Sequence, residues 1–242
     1  MAARTPTANR DLKNIAYSTL KDRLINCIYP PGSILNEAQL ATELSLSRTP
    51  IREALSRLEM DGFVRIMPKK GIYVTDISLP DIFQIFQTRL EIEPVTTRMA
   101  ALLLPESELL SFRNKFEQET PDIANAFRLD TAMHLFIIEH CGNRYIIDMM
   151  HKIFDENTRI IISSKQNQLQ IHDARREHIE ILDCLLARDV EKSAVLMRSH
   201  IENCRQAALN YFCNFQTACF TSSPDTYKKE LQLLERASAA VT

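Results

Sequence analysis

The chain has 242 residues, enough for one large or two modest domains with a sizeable core. Only 4 glycines, no tryptophan and 45% hydrophobic residues point to a helix-rich protein. The net charge of −2 excludes little, but its division is uneven: residues 1–78 hold 11 Lys/Arg against 8 Asp/Glu, and the remainder 18 against 23. A basic head on an acidic body suits a nucleic-acid partner at the N-terminal end. No apolar run approaches the ~18 residues of a membrane span, and the first residues contain no signal-peptide core. Cys27, Cys141, Cys184, Cys204, Cys213 and Cys219 show no CxxC spacing and fall mostly in apolar helical patterns. They read as reduced, packed thiols of a cytoplasmic protein.

Residues 1–12 are polar and read as a flexible arm. A first helix is expected over 13–28, with Ile15, Leu20, Leu24, Cys27 and Ile28 on one side, stopped by Pro30-Pro31-Gly32. Asn36 is the natural cap of a short second helix ending at Leu44, and Ser45-Leu46 makes the turn into a third. That third helix, to about Met60, has two faces. Ile51, Ala54, Leu55 and Leu58 share one apolar arc of roughly 100°. Arg48, Thr49, Arg52 and Ser56 share the adjacent arc, with Arg57 on the far flank. The Ser47 hydroxyl is a good N-cap, and Pro50 falls where the first-turn N–H groups have no intrahelical acceptor. Asp61-Gly62 ends the helix; two short strands follow over 63–67 and 72–75, joined by Pro68-Lys69-Lys70-Gly71. The helix alone also fits an ordinary amphipathic surface helix, and the hairpin a solvated turn. Three helices followed at once by a basic-tipped hairpin is the order of a winged helix-turn-helix. In that setting Lys69 and Lys70 reach phosphates, and Gly71 permits close backbone approach to DNA.

The body is helical throughout. Helices are expected over about 80–104, 105–118, 121–141, 144–164, 173–187 and 190–212, with Pro94 kinking the first and Gly142-Asn143 stopping the third. Asp189 caps the last after a very short joint, which forces the final two helices to pack antiparallel. His178 lies 11 positions before Asp189 and His200 lies 11 after it. Both therefore stand at the same height on neighbouring helices, about 16 Å from the bend. Asp130 and His134 share a face of the third body helix at i, i+4 spacing, among Leu129, Met133, Phe136 and Ile137. Buried polar groups in such surroundings need partners. Two readings stay open on the residues alone: a divalent-metal site of three imidazoles and a carboxylate, or separate buried histidines satisfied by local acceptors. His140, His151 and His172 have no matching partners and read as helix-end or surface residues.

Two motif sets carry a family resemblance. Pro31-Gly32, Leu35, Glu37, Leu40-Ala41, the run from Ser47 to Leu55, Arg57-Leu58, Asp61-Gly62 and Gly71 resemble the GntR family of bacterial regulators. Ser45 departs from it, standing where the family often has glycine. The resemblance implies that Arg48, Thr49 and Arg52 enter the major groove while the wing meets backbone or minor groove. Arg89 with Glu93-Pro94, Asp130-x-x-x-His134, Gly142-Asn143, Glu177-His178 and His200 resemble the FCD domain of FadR-like members. That similarity implies that Asp130, His134, His178 and His200 ligate Zn, Ni or Mn, and that an organic acid completes the shell. Arg89 becomes a candidate partner for the acid's carboxylate, a helix–helix salt bridge being the alternative, and Asn143 a weaker candidate beside it.

The expectation is a mainly α protein: a flexible arm over 1–12, a winged helix-turn-helix over 13–78, an all-helical FCD-like bundle over 79–213 and an extension over 214–242. In the extension Ser222-Ser223-Pro224-Asp225 can cap one more helix. Its expected function is a ligand-responsive transcriptional regulator, a repressor and homodimer on a palindromic double-stranded operator, with no membrane partner. A metal-dependent enzyme acting on small organic acids is the rival, since an open His/Asp metal site can activate water. A regulator whose metal is purely structural is the nearer alternative.

Overall fold

The computed structural model describes residues 6–118, 123–165 and 174–219. The head holds α1 (Pro6–Ile25), β1 (Ile34–Leu35), α2 (Glu37–Glu43), α3 (Arg48–Met60), β2 (Val64–Met67) and β3 (Gly71–Val74). The body holds α4 (Leu79–Ala100), α5 (Glu106–Glu117), α6 (Ile123–Glu139), α7 (Arg144–Lys165), α8 (Arg175–Leu186) and α9 (Val190–Cys219). This is the expected winged helix-turn-helix followed by a helical bundle.

Several boundaries differ from expectation for physical reasons. The arm is helical from Pro6, because a proline at a helix's first position gives up an N–H that has no acceptor there anyway. Strand β1 has only two residues, too few for an alternation pattern. It closes the sheet in the order β1-β3-β2, with Ile34 opposite Tyr73 and Leu35 opposite Ile72. α9 runs past the expected residue 212 to Cys219. His172 and the expected helix of the extension lie outside the described residues.

The head packs Leu20 and Leu24 of α1 against Leu40, Ile51, Leu55 and Leu58, with Phe63, Val64, Ile72 and Val74 from the sheet. Leu58 is fully enclosed there. Leu58→Ala is expected to cost about 2–5 kcal/mol, read as a lower midpoint in urea unfolding of the full-length protein. Ser45 takes φ 53, the left-handed turn that glycine adopts without strain, so its departure from the family pattern carries a backbone cost. In α2 the Asn36 side chain caps as expected, accepting from the backbone N–H groups of Ala38 and Gln39.

Head and body meet along α7. The Arg159 Nη2 donates to the Thr75 carbonyl at 2.7 Å, its guanidinium lies 5.4 Å from the Phe63 ring centroid, and Nη1 pairs with Glu156 at 2.8 Å. Lys21 of α1 pairs with Asp155 of α7 at 2.6 Å. The body core is built on α4 lying along α9, with Ile82, Phe86, Leu109, Met133, Ile181, Leu185, Met197 and Ile201 all buried. Cys27, Cys141 and Cys184 are buried free thiols, as their positions in apolar patterns implied.

Candidate functional site

The head offers a concave face. A cavity of about 480 Å³ is lined by Asn36 and Glu37 at the start of α2, Arg48 and Arg52 on α3, and Lys69, Lys70 and Gly71 at the hairpin tip. α3 is amphipathic for the reason its sequence gives: Pro50, Ile51, Ala54, Leu55 and Leu58 are buried, while Ser47, Arg48, Thr49 and Arg52 are exposed. Arg52 is not loose. Its Nε donates to both carboxylate oxygens of Glu37 at 2.9 Å, so α2 holds the guanidinium of α3 in place.

Three of the expected head residues show local arrangements that the sequence did not reveal. The Ser47 hydroxyl makes no capping bond, although its backbone is extended as an N-cap requires. The first-turn N–H groups of α3 are therefore left for another acceptor, such as a phosphate. Arg57 is exposed but lies along α1: Nη1 donates to Asn14 at 3.1 Å and its guanidinium stacks 3.8 Å from the Tyr17 ring centroid. It ties α3 to α1. Gly71, with φ 110, is required by β1, since a Cβ there would meet the Leu35 carbonyl oxygen at 2.8 Å. Lys69 adopts φ 64 and with Lys70 forms the exposed tip, as expected.

In the body, the structure brings Asp130, His134, His178 and His200 together, with one ligand atom of each within 4.8 Å of all the others. They come from α6, α8 and α9, as the equal spacing about Asp189 requires. The Nε2 of His200 lies 3.1 Å from that of His134 and 3.2 Å from that of His178, while Asp130 Oδ1 lies 2.9 Å from His178 Nε2. All three imidazoles are buried.

Two carboxylates outside that set fix the rings. His134 Nδ1 donates to Glu93 at 2.5 Å, and His200 Nδ1 donates to Glu177 at 2.8 Å. With Nδ1–H spent in this way, each ring turns a bare Nε2 lone pair towards the other. Two acceptors about 3 Å apart repel unless a cation lies between them. Tetrahedral ligands at the usual zinc–nitrogen length of ~2.05 Å stand about 3.3 Å apart, close to the two separations at His200. Asp130 and His134 stand 3.8 Å apart, and the whole set lies within 4.8 Å. The donor set thus fits a divalent metal of borderline softness.

The electrostatics agree. Burial lowers the His200 pKa to about 3 despite Glu177, and burial lowers that of His178 despite Asp130. Both rings are neutral ligands near pH 7. Burial opposes ionisation of Asp130, but its hydrogen bond to His178 outweighs that and holds the carboxyl well below its usual range. Burial likewise opposes ionisation of Glu93, yet Arg89 and His134 bring it down to about 2.

Arg89 is enclosed beside this set. Its Nε donates to Glu93 at 2.5 Å and Nη1 to Asn157 Oδ1 at 3.0 Å, so it makes an intrahelical salt bridge and keeps Nη2 without a hydrogen-bond partner. Asn143, the other candidate for the ligand shell, caps α7 instead: its Oδ1 accepts from Tyr145 N at 3.1 Å and from Ile146 N at 3.4 Å. An asparagine that follows a helix-ending glycine and precedes a helix is ideally placed for that duty. His140 bonds the Phe136 carbonyl and His151 pairs with Glu139, both away from the cluster.

Comparison with known proteins finds two family matches: bacterial regulatory proteins of the gntR family over residues 12–74, and the FCD domain over residues 84–203. The HTH-type transcriptional repressor RspR of Escherichia coli is 25% identical over 77% of this chain and 84% of its own length. The repressor GlaR of the same organism is 26% identical over 76% of this chain and 90% of its own. Among solved structures, E. coli McbR/YncC matches with a TM-score of 0.72 at 20% identity, over 84% of this chain and 98% of that one, a likeness of fold.

Proposed function

This chain belongs to the gntR family of bacterial regulatory proteins and carries an FCD domain behind its winged helix, and from that premise we propose how this DNA-binding transcriptional regulator works. It is a repressor whose operator affinity is set by a small carboxylate bound at a divalent metal in the body. Zn, Ni or Mn is held by Asp130, His134, His178 and His200. The observation that carries the reading is the pair of bare Nε2 lone pairs, each oriented by its own buried carboxylate.

The DNA contacts fall to Arg48, Thr49 and Arg52 in the major groove, with Lys69, Lys70 and the open start of α3 on phosphates. Arg89 Nη2 is the donor offered to the acid. The working form is a homodimer on a palindrome. Support comes from Val95, Met99, Leu102 and Leu103, exposed at successive turns around the end of α4, beside exposed Val195 at the start of α9. Arg98 and Glu191 bridge these two helices at 2.9 Å, so the apolar positions form one neighbourhood. No helix among the described residues is long and apolar enough to cross a membrane.

The acid acts by linkage: it binds one arrangement of the bundle more tightly, and that arrangement sets the spacing of the two heads. The test is a gel-shift titration of the full-length protein on the DNA it selects from a random pool, with metal content measured in parallel. One metal per chain is expected, with an acid-dependent change in DNA affinity that disappears in chelator. Metal without any acid response favours a purely structural ion. Turnover of the acid by the protein would revive the enzyme reading.

A further inference from the structure

Among the described residues, four buried side-chain nitrogens have no hydrogen-bond partner: Arg159 Nε at the head contact, His178 Nδ1 on a ligand ring, and Arg89 Nη2 and Asn157 Nδ2, which lie beside the metal set without belonging to it. The last two belong to one bonded unit, because Arg89 Nη1 donates to Asn157 Oδ1 at 3.0 Å. That bond turns the amide so that its NH2 group is the part left unspent. The two residues are 2% and 0% exposed, so bulk water does not serve these donors. The Phe86 and Phe154 rings lie 5.5 and 4.7 Å from the guanidinium, making the surroundings apolar and an unmade hydrogen bond costly.

The unit is close to the metal set yet separate from it. One oxygen of Glu93 takes Arg89 Nε and the other takes His134 Nδ1, so a carboxylate stands between the guanidinium and that ligand ring. Asn157 lies on α7, which contributes none of the four ligands. Two donors with no acceptor of their own, one of them charged, match a group that only accepts. A carboxylate is such a group. A hydroxyl or a carboxamide brings a donor of its own, and a neutral group forfeits the charge.

We propose that Arg89 and Asn157 form a carboxylate clamp distinct from the metal's ligand set, and that the effector is a short diacid with one carboxylate on the metal and the other in the clamp. The inference rests on the metal-and-acid reading above and adds Asn157 as its specificity-determining residue. A ligand held in this way spans from α6, α8 and α9 to α7. α7 is also the helix that grips the head, through Asp155 and Arg159 on either side of Asn157.

Calorimetry on the zinc-loaded full-length protein tests it, using malonate, succinate and glutarate, each against its half-amide. The diacid of fitting length is expected to bind about tenfold or more tightly than its half-amide. Asn157→Asp keeps an acceptor for Arg89 Nη1 but replaces the free donor with a negative charge. It is expected to erase the preference while zinc content stays at the native level. Asn157→Ala, checked for a cooperative melt, is expected to do the same without added charge. Half-amides that bind as well as the diacids in the native protein, or a preference that survives both substitutions, overturn the clamp. Tight binding of lactate with no preference for a second carboxylate leaves the metal-and-acid reading standing and removes the clamp alone. Failure to hold zinc removes both.

Discussion

Stripping the metal from the full-length protein is expected to lower its melting temperature by roughly 8–16 °C. A ligand present at about a thousand times its dissociation constant stabilises the folded state by about 4 kcal/mol, and each kcal/mol moves the midpoint of a domain this size by roughly 2–4 °C. The effect should be this large because the apo site is poorly satisfied: lone pairs on His134 and His200 face each other at 3.1 Å in the buried core of the bundle. His200→Ala is expected to abolish metal retention, since its Nε2 neighbours both other imidazoles. His151→Ala, which changes only a surface pair with Glu139, should leave metal content and melting unaltered. Differential scanning with and without chelator, alongside metal content, reads all three. If the native protein melts identically after chelation and dialysis, the metal has no structural consequence and the site reading fails.

Arg52→Ala should weaken specific DNA binding about 10²–10⁴-fold. An arginine bidentate to guanine is worth about 1–3 kcal/mol of discrimination, and a dimer presents two of them. Salt dependence separates this from a role on the phosphates. Lys69→Ala and Lys70→Ala should lower affinity on all sequences alike and flatten the salt slope by about one for each phosphate no longer neutralised. Arg52→Ala should relax sequence preference as well. Glu37→Gln gives a finer test. The carboxylate holds Arg52 at its Nε edge, so removing its charge should broaden base preference while leaving non-specific binding intact. Fluorescence anisotropy on selected and scrambled duplexes separates these outcomes. Equal loss on both duplexes for Arg52→Ala would place that residue on the phosphates.

Most of the architecture was legible because it rests on periodicity. The α3 faces follow from ~100° per residue, and the meeting of His178 with His200 follows from equal distances to a tight joint. What escaped has local causes. β1 is two residues long and exists only because β3 pairs with it. Arg57 sits on the boundary between two faces, and only the position of α1 decides which way it turns. Gly71 also serves a close approach by the Leu35 backbone of the same chain, a pairing that depends on β1. Glu93 and Glu177 were visible as motif residues; their task, holding the Nδ1 side of a ring, depends on which helix lies opposite. Asn157 carried a usable signal. It falls on the buried phase of α7 with Met150 and Phe154, and an amide at such a position requires a partner.

The Arg159 contact bears on how portable the two parts of this molecule are. The chain looks as if it could be cut at residue 78 and its head grafted onto another body. Yet the Thr75 carbonyl is bonded by an arginine 84 residues further along, and that arginine also covers Phe63. A graft made at the linker would strip a core aromatic of its cover and leave the incoming body without a handle on the head. The transplantable unit is the head together with a matched face of α7. Regulators assembled from heads and bodies of different origin should keep their signal only where that face travels with the head.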